Sequence, residues 1–367
     1  MAALAFQVPY STCFWAQPCF RARPKGRNGT CNKEEVPEAR RAKRSSMLRN
    51  TLVVIPWILY KSRMRSRVGC RGKPFEVHDF GDKGMGVVAA RDIQKGELLL
   101  REQPLFLVSQ CRDSRQLDAW ENEINAALRK LPEHDLQSFW NLADCHTDEK
   151  SVVGIVRTNG LPVETAEGDM VGVYPTVSRF NHSCNNNVNN SYQEEYGEVL
   201  HAIRDVAKGE ELCITYIDLF MTRQERQDAL RRTFNFKCAC PTCLQTGQAL
   251  LRSNKVRQRL QDLRSALPSA VPQRLGPRVL EKIAEHIDEE LGGNAAAKAY
   301  AYHMGSQLLR DIGQSEGDLE LQQQATTFAE KALAEVVVAE GPESWVSVML
   351  RESVPKAAQT RGHSAKA

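Results

Sequence analysis

The sequence predicts an α+β fold, a β-rich body followed by a purely helical C-terminal region. Three observations carry that prediction. From residue 74 onward, short apolar-polar alternations are separated by glycine-bearing turns, the period-two pattern of half-buried strands. After Gln245 the apolar spacing changes to three and four residues and stays so to about residue 340. The change of period falls at a tight cysteine cluster, Cys238, Cys240 and Cys243. A chain of 367 residues, 42% hydrophobic and 26% charged, is long and apolar enough for two or three domains.

The elements follow in order. Residues 1–73 hold 16 Lys and Arg against 3 Asp and Glu, so the net charge of +4 conceals an acidic remainder. This stretch reads as a basic, disordered leader. A solvated arm that touches an acidic surface is the functional alternative. It lacks the serine content and amphipathic repeat of a transit peptide, so organellar targeting is not expected. The apolar run at 51–60 is half the length of about twenty residues that a membrane span needs, so no transmembrane helix is expected. The acidic body gives no reason to expect direct nucleic-acid binding.

Strands are expected at 75–80, 86–90 and 97–101, with turns at 81–86 and 93–96. Leu117, Trp120, Ile124, Leu128 and Leu131 mark a helix within 113–131, and a second short helix is expected at 136–142. Residues 162–169 read as loop. Strands return at 173–177, 187–192, 199–203 and 212–217, and a helix is expected at 222–234. The C-terminal region reads as antiparallel helices at 248–265, 275–291, 295–312 and 318–340, broken at Leu267-Pro268, Gly292-Gly293 and Gly313-Gln314. The last dozen residues read as a frayed tail.

Cys238-x-Cys240-x-x-Cys243 places three thiolate donors in one short loop, part of a tetrahedral zinc site. The alternative is three idle thiols. A fourth ligand must come from elsewhere, and Cys184 leads by residue type. The eleven cysteines are otherwise scattered, which fits a reducing compartment rather than a disulfide framework. Nucleus and/or cytoplasm is therefore the expected location. Tyr216 ends an alternating run and reads as a core aromatic or a site residue. Asn181 and His182 read as satisfiers of backbone groups or as cofactor contacts. Gly84 and Gly86 are hairpin punctuation or a ligand cradle. Their G-x-G lacks the strand-then-helix setting of a dinucleotide site, and no phosphate-binding G-K-[ST] loop or serine nucleophile elbow occurs.

In combination, these pieces resemble the SET-domain protein-lysine methyltransferases. Lys83-Gly84-Met85-Gly86 with the following Arg91-Asp92-Ile93-Gln94-Lys95-Gly96-Glu97 is similar to the family's first cofactor motif. Asn181-His182-Ser183-Cys184 matches its most diagnostic tetrapeptide. The stretch from Ala202 through Gly209-Glu210-Glu211-Leu212 to Tyr216 matches the final core motif, and Phe236-x-Cys238-x-Cys240-x-x-Cys243 the post-SET segment. The trailing helices look most like the SMYD branch and related fungal SET proteins. The region 100–172 has only Cys111 and Cys145, too few to build the MYND zinc finger of that branch. Asn186 departs from a common proline, a minor change.

The resemblance implies a β-rich knotted SET fold over 74–221, with a helical insert at about 111–160. It also implies a post-SET zinc segment at 222–245, a C-terminal helical domain at 246–350 and a tail at 351–367. It implies S-adenosyl-L-methionine as cofactor, contacted by Lys83, Gly84, Met85, Asn159, Asn181, His182, Tyr216 and Phe236. Tyr216 would be catalytic and would line the lysine channel with Phe234. Cys184, Cys238, Cys240 and Cys243 would hold a structural zinc ion. The implied partner is a protein with a target lysine, and a monomer is favoured. The competing reading is a catalytically silent SET-like module that binds proteins through its C-terminal helices. A zinc-dependent nucleic-acid binder is disfavoured by the acidic body.

Overall fold

The computed structural model describes residues 72–165 and 168–354. The basic leader through residue 71, the apolar run at 51–60 and the chain beyond 354 lie outside the described residues. β1 (Phe75–Asp79) pairs antiparallel with β2 (Met85–Ala89) across a 3-10 turn at Gly81–Lys83. Gly84 follows that turn at φ 79°, a left-handed conformation that a side chain would strain. β3 (Leu98–Glu102) and β4 (Leu107–Ser109) complete the opening strands.

The predicted insert forms three helices, α1 (Leu117–Leu128), α2 (Glu133–Trp140) and α3 (Val152–Asn159). Trp120, Ile124 and Leu128 share the buried face of α1, as their spacing requires, and pack with Phe139 and Ile155. Ser151 starts α3 by accepting the Gly154 N–H on its hydroxyl at 2.9 Å.

Residues expected to be loop instead form a hairpin, β5 (Gly160–Thr165) with β6 (Gly168–Val173). β5 is the edge of the sheet ordered β4-β6-β5, where the missing N–H of Pro162 costs no ladder bond. The strand expected at 173–177 ends at Val173. The Glu102 carboxylate accepts the N–H groups of Thr176 and Val177 at 2.9 and 2.8 Å, diverting the chain into a 3-10 turn at Val177–Arg179. Two further strands, β8 (Val188–Gln193) and β9 (Gly197–Ala202), join β3 in the order β3-β9-β8. Between these sheets, β7 (Asn181–His182) and β10 (Cys213–Ile214) pair in parallel. The expected strand at 212–217 is this short because side chains take two of its backbone N–H groups: Asn187 accepts from Cys213 at 2.8 Å and His182 from Tyr216 at 3.1 Å.

The remainder is helical: α4 (Arg223–Phe234), α5 (Pro241–Leu244), α6 (Gly247–Ala270), α7 (Gly276–Leu291), α8 (Ala295–Glu316), α9 (Leu319–Glu340) and α10 (Trp345–Ser353). Two expected breaks lie inside helices. Pro268 sits within the last turn of α6, where it forfeits one hydrogen bond rather than the helix. Gly313 is a close contact with α9, since a Cβ there would meet the Leu321 Cβ at 3.0 Å. α8 ends instead at Gly317, and α10 was not expected.

Apolar burial follows these elements. Val87, Phe180, Leu200, Leu212 and Ile214 fill the strand core, while Leu280, Leu309 and Phe328 belong to a separate helical core. Each such side chain contributes about 1.5–3 kcal/mol through removal from water. Polar contacts join the two regions. Asn189 donates to the Ala339 carbonyl at 3.0 Å, Gln193 to that of Glu340 at 2.9 Å, and Asn294 to the Asn186 side-chain oxygen at 3.0 Å.

Candidate functional site

Three segments distant in sequence converge between the small sheets: the turn before β2, the chain around β7, and the approach to β10. Asn187 ties the last two together. Besides accepting from Cys213, its amide donates to the Glu211 carbonyl at 2.8 Å. Asn181 ties in the first, donating to the Met85 carbonyl at 3.3 Å and to the Glu211 carboxylate at 3.0 Å. That approach needs a bare backbone at Gly86, where a Cβ would lie 2.6 Å from the Asn181 amide nitrogen. Lys83 meets the other side of this arrangement through an ion pair with Glu211 at 2.6 Å.

The convergence borders a cavity of about 220 Å³. Lys83, Gly84, Met85, Asn159, Asn181, Tyr216, Phe234 and Phe236 all line it. Asn159 is held at its wall by donating to the carbonyls of Ala143 and Ile155 at 2.7 and 2.8 Å. Tyr216 donates its hydroxyl to the Phe180 carbonyl at 2.8 Å, and its ring centre lies 5.0 Å from that of Phe234. His182 stands behind this wall rather than in it. It is fully buried, and burial pushes its imidazole down to about 3, so the ring is neutral. Because Nδ1 accepts the Tyr216 N–H, the ring proton sits on Nε2, which faces the Cys184 sulfur at 3.3 Å.

That contact leads into a second cluster. The Sγ atoms of Cys184, Cys238, Cys240 and Cys243 all lie within 4.8 Å of one another, and that of Cys184 is 3.9 Å from Cys238 and 3.4 Å from Cys243, near the sulfur edge of a tetrahedron with ligand bonds of about 2.3 Å. Hydrogen bonds from Cys184 and Cys238 push the Cys240 thiol well below the ordinary range, while the same network pushes Cys184 above it. Four sulfurs this close resist losing all their protons unless a cation compensates them. The donor set therefore fits a soft or borderline divalent metal, and it closes the coordination sphere with protein sulfur. Cys111 and Cys145 belong to no such group among the described residues.

The loop is shaped from α4. Thr222 and Glu225 form a capping box at its start. Asn235 closes it at φ 55°, turning the chain toward Phe236. Gln227 clamps Cys238 on both backbone groups, donating to its carbonyl at 2.8 Å and accepting its N–H at 3.1 Å. Arg226, fully buried, places a guanidinium nitrogen 3.7 Å from the Cys243 sulfur. Arg257 of α6 reaches the same cluster, donating to the Cys184 carbonyl at 3.1 Å and pairing with Glu290 at 2.7 Å.

Glu211, Gln227, Arg226 and Arg257 were not singled out from sequence. Glu211 stood inside a quoted motif, but no spacing rule separates it from the adjacent Glu210. The other three are polar residues on predicted helices, where a solvent-facing position is the ordinary expectation.

Comparison with known proteins places this geometry. Residues 84–217 match the model of the SET domain. Histone-lysine N-methyltransferase set5 of Schizosaccharomyces pombe is 32% identical over 192 residues, which cover 52% of this chain and 54% of that protein. Human N-lysine methyltransferase SMYD2 is 37% identical over 135 residues, 35% of this chain and 30% of its own length. Human histone-lysine N-methyltransferase SMYD3 is 42% identical over 73 residues, 20% of this chain and 17% of its own. The chain thus spans about half the length of set5 and less of the other two.

Proposed function

Since residues 84–217 are a SET domain, homologous to those of set5 and the SMYD lysine methyltransferases, we propose that the chain is an S-adenosyl-L-methionine-dependent protein-lysine N-methyltransferase. The observation that carries the reading is the single cavity shared by Asn181, Tyr216, Phe234 and Phe236. The division into a SET domain, a post-SET segment at 222–245 and a helical domain at 246–350 is part of the same proposal.

The residues fit the cofactor by their chemistry. Lys83 and Met85 flank Gly84, and the uncluttered backbone there suits close contact with a polar ligand. Asn181 and Asn159 supply side-chain amides, and Phe236 an aromatic face for a base. When bound, the cofactor supplies an electrophilic methyl group on a sulfonium sulfur.

The chain's own residues do the rest. A lysine side chain entering between Tyr216 and Phe234 loses water, and desolvation disfavours the ammonium form although free lysine has a pKa of about 10.4. Tyr216, fixed by its bond to the Phe180 carbonyl, orients the amine. Most of the acceleration comes from this positioning. Cys184, Cys238, Cys240 and Cys243 would hold zinc, which staples the segment bearing Phe236 to the β7 strand. Such a metal would be structural, because four protein sulfurs would complete its ligand set.

The partner is a protein carrying a target lysine. No helix among the described residues is long and apolar enough to cross a membrane. Cys145, Cys184, Cys213, Cys238, Cys240 and Cys243 form no disulfide, which supports a nuclear or cytoplasmic site of action, and a monomer is the proposed state. Labelled cofactor incubated with cell lysate tests the proposal. The native chain should label at least one protein, and Tyr216→Phe should reduce that labelling by about a hundredfold while cofactor affinity stays unchanged. No labelling by the native chain above that of lysate alone would leave a silent protein-binding module instead, and equal labelling by both chains would remove the catalytic role of Tyr216.

A further inference from the structure

A second cavity lies apart from the one just described. A groove of about 750 Å³ lies between the edge strand β5, the β8–β9 hairpin and α10. Its apolar surface includes Met170, Met349 and two strongly exposed side chains of α10, Trp345 and Val348, which are 47% and 40% accessible. Two tyrosines of the hairpin, Tyr192 and Tyr196, add aromatic faces.

The charged lining is almost entirely acidic. Glu164, Asp169, Glu194, Glu195, Glu343 and Glu352 all border the groove, and Arg112 is the sole cation among its described lining residues. Arg112 is already committed to Asp169. Glu164, Glu194, Glu195 and Glu352 have no ion-pair partner among the described residues. Buried Ser191, 5% accessible, also lines the groove, and its hydroxyl lacks a hydrogen-bond partner among the described residues.

One guanidinium shows what this rim offers. Arg101 lies 3.9 Å from the centre of the Tyr196 ring and pairs with Glu343 at 2.6 Å. Aromatic face plus carboxylate is the combination that receives Arg and Lys with their aliphatic stems covered. β5 also connects the groove to the smaller cavity: Gly160 and Leu161 line the latter, while Pro162 through Glu164 line the groove. At about 3.3 Å per strand residue the two cavities are within roughly 10 Å along that strand.

We propose that this groove docks an extended, lysine- and arginine-rich segment of the protein substrate, holding it while its target lysine enters the neighbouring cavity. The choice of a substrate segment rests on the methyltransferase reading; the preference for a basic, extended ligand rests on the groove alone. The excess of acidic side chains selects positive charge, and the apolar floor distinguishes a peptide from a diffuse ion atmosphere.

A fluorescein-labelled peptide of alternating arginine and glycine, without lysine, probes the groove independently of methylation. Bound to the full chain and followed by anisotropy, it should lose affinity by about tenfold in the exposed-residue variant E194Q/E195Q/E352Q, with affinity for S-adenosylmethionine unchanged. Trp345→Ala should weaken binding at both low and high salt, whereas the charge variant should converge with native at high salt. Equal peptide affinity in native and both variants would overturn the assignment. The chain's own basic leader is a rival occupant, tested in the full chain by R63Q/R65Q/R67Q/R71Q. Unchanged peptide affinity supports a substrate segment; a gain of about tenfold would show that the leader fills the groove and would overturn it. A native chain that binds the peptide through the groove yet methylates nothing would sink the enzymatic reading and leave the basic-peptide site standing.

Discussion

At the scale of residues, the cavity depends on side chains that bind backbone as much as on those that face a ligand. Glu211 joins Lys83 to Asn181, and Asn181 in turn reaches the Met85 carbonyl. Glu211→Ala removes both acceptors, so cofactor affinity should weaken by about fivefold, the equivalent of roughly 1 kcal/mol for a net hydrogen bond, with kcat nearly unchanged. Isothermal titration and saturation kinetics separate the two effects. The positions of Asn181, Tyr216 and Cys184 could be picked out from sequence because each stood in a recognisable run. Glu211 could not, because its importance arises from where the turn before β2 comes to rest, about 128 residues earlier in the chain. The isolated chemistry of Tyr216 was equally ambiguous until Phe180 and Phe234 were in place around it.

Two elements give sharper tests. In the cysteine loop, Cys240→Ser should lower zinc from about one ion per chain to well below half, measured by plasma mass spectrometry, because a four-sulfur site loses a charged ligand. Cofactor affinity should fall with it, since Phe236 precedes the loop. In β9, Glu198 is wholly buried next to Asn190 of β8 and across from Glu102 of β3, and burial pushes its carboxyl up to about 8. One of its oxygens has no hydrogen-bond partner among the described residues. A carboxyl whose affinity for protons is higher in the folded chain makes that chain retain the proton between its unfolded value of about 4.5 and about 8. Stability therefore falls as pH rises through that window. Glu198→Gln should raise the melting temperature by several degrees at pH 8 to 9 and leave it unchanged near pH 4.5. The strand β9 was expected from residue 199 on, so Glu198, just before that apolar run, was not singled out. The β5–β6 hairpin was hidden for a related reason: Pro162 and the acidic residues beside it resemble a loop unless the strand is known to lie at an edge.

At the scale of the whole molecule, the helical region is tied to the cysteine cluster by one buried side chain. Arg257 has no solvent exposure, pairs with Glu290 and donates to the carbonyls of Leu219 and Cys184. Arg257→Met strands Glu290 and should destabilise the chain by about 3–5 kcal/mol in denaturant unfolding. Adding Glu290→Met should recover much of that loss, which identifies the cost as an unpaired charge rather than lost packing. The C-terminal helices were predictable from their apolar periods, and Gly292-Gly293 marks a true break. The seam between helices and strands was not, because it is built from Asn186, Asn189, Gln193 and Arg257, residues whose types favour water unless a carbonyl is waiting for them.

That seam also bears on solubility. β8 is the outer strand of its sheet, and Asn189 and Gln193 hold the last turn of α9 beside it. Uncovered, it would present Val188 and Tyr192 next to unpaired peptide groups, a template on which a second chain can add a strand. α9 thus acts as a guard against self-association while it helps to wall the groove. Substitutions of Asn189 or Gln193, whose amides make these contacts to backbone carbonyls of α9, would then register first as aggregation during synthesis, before any loss of catalytic capacity in the molecules that fold.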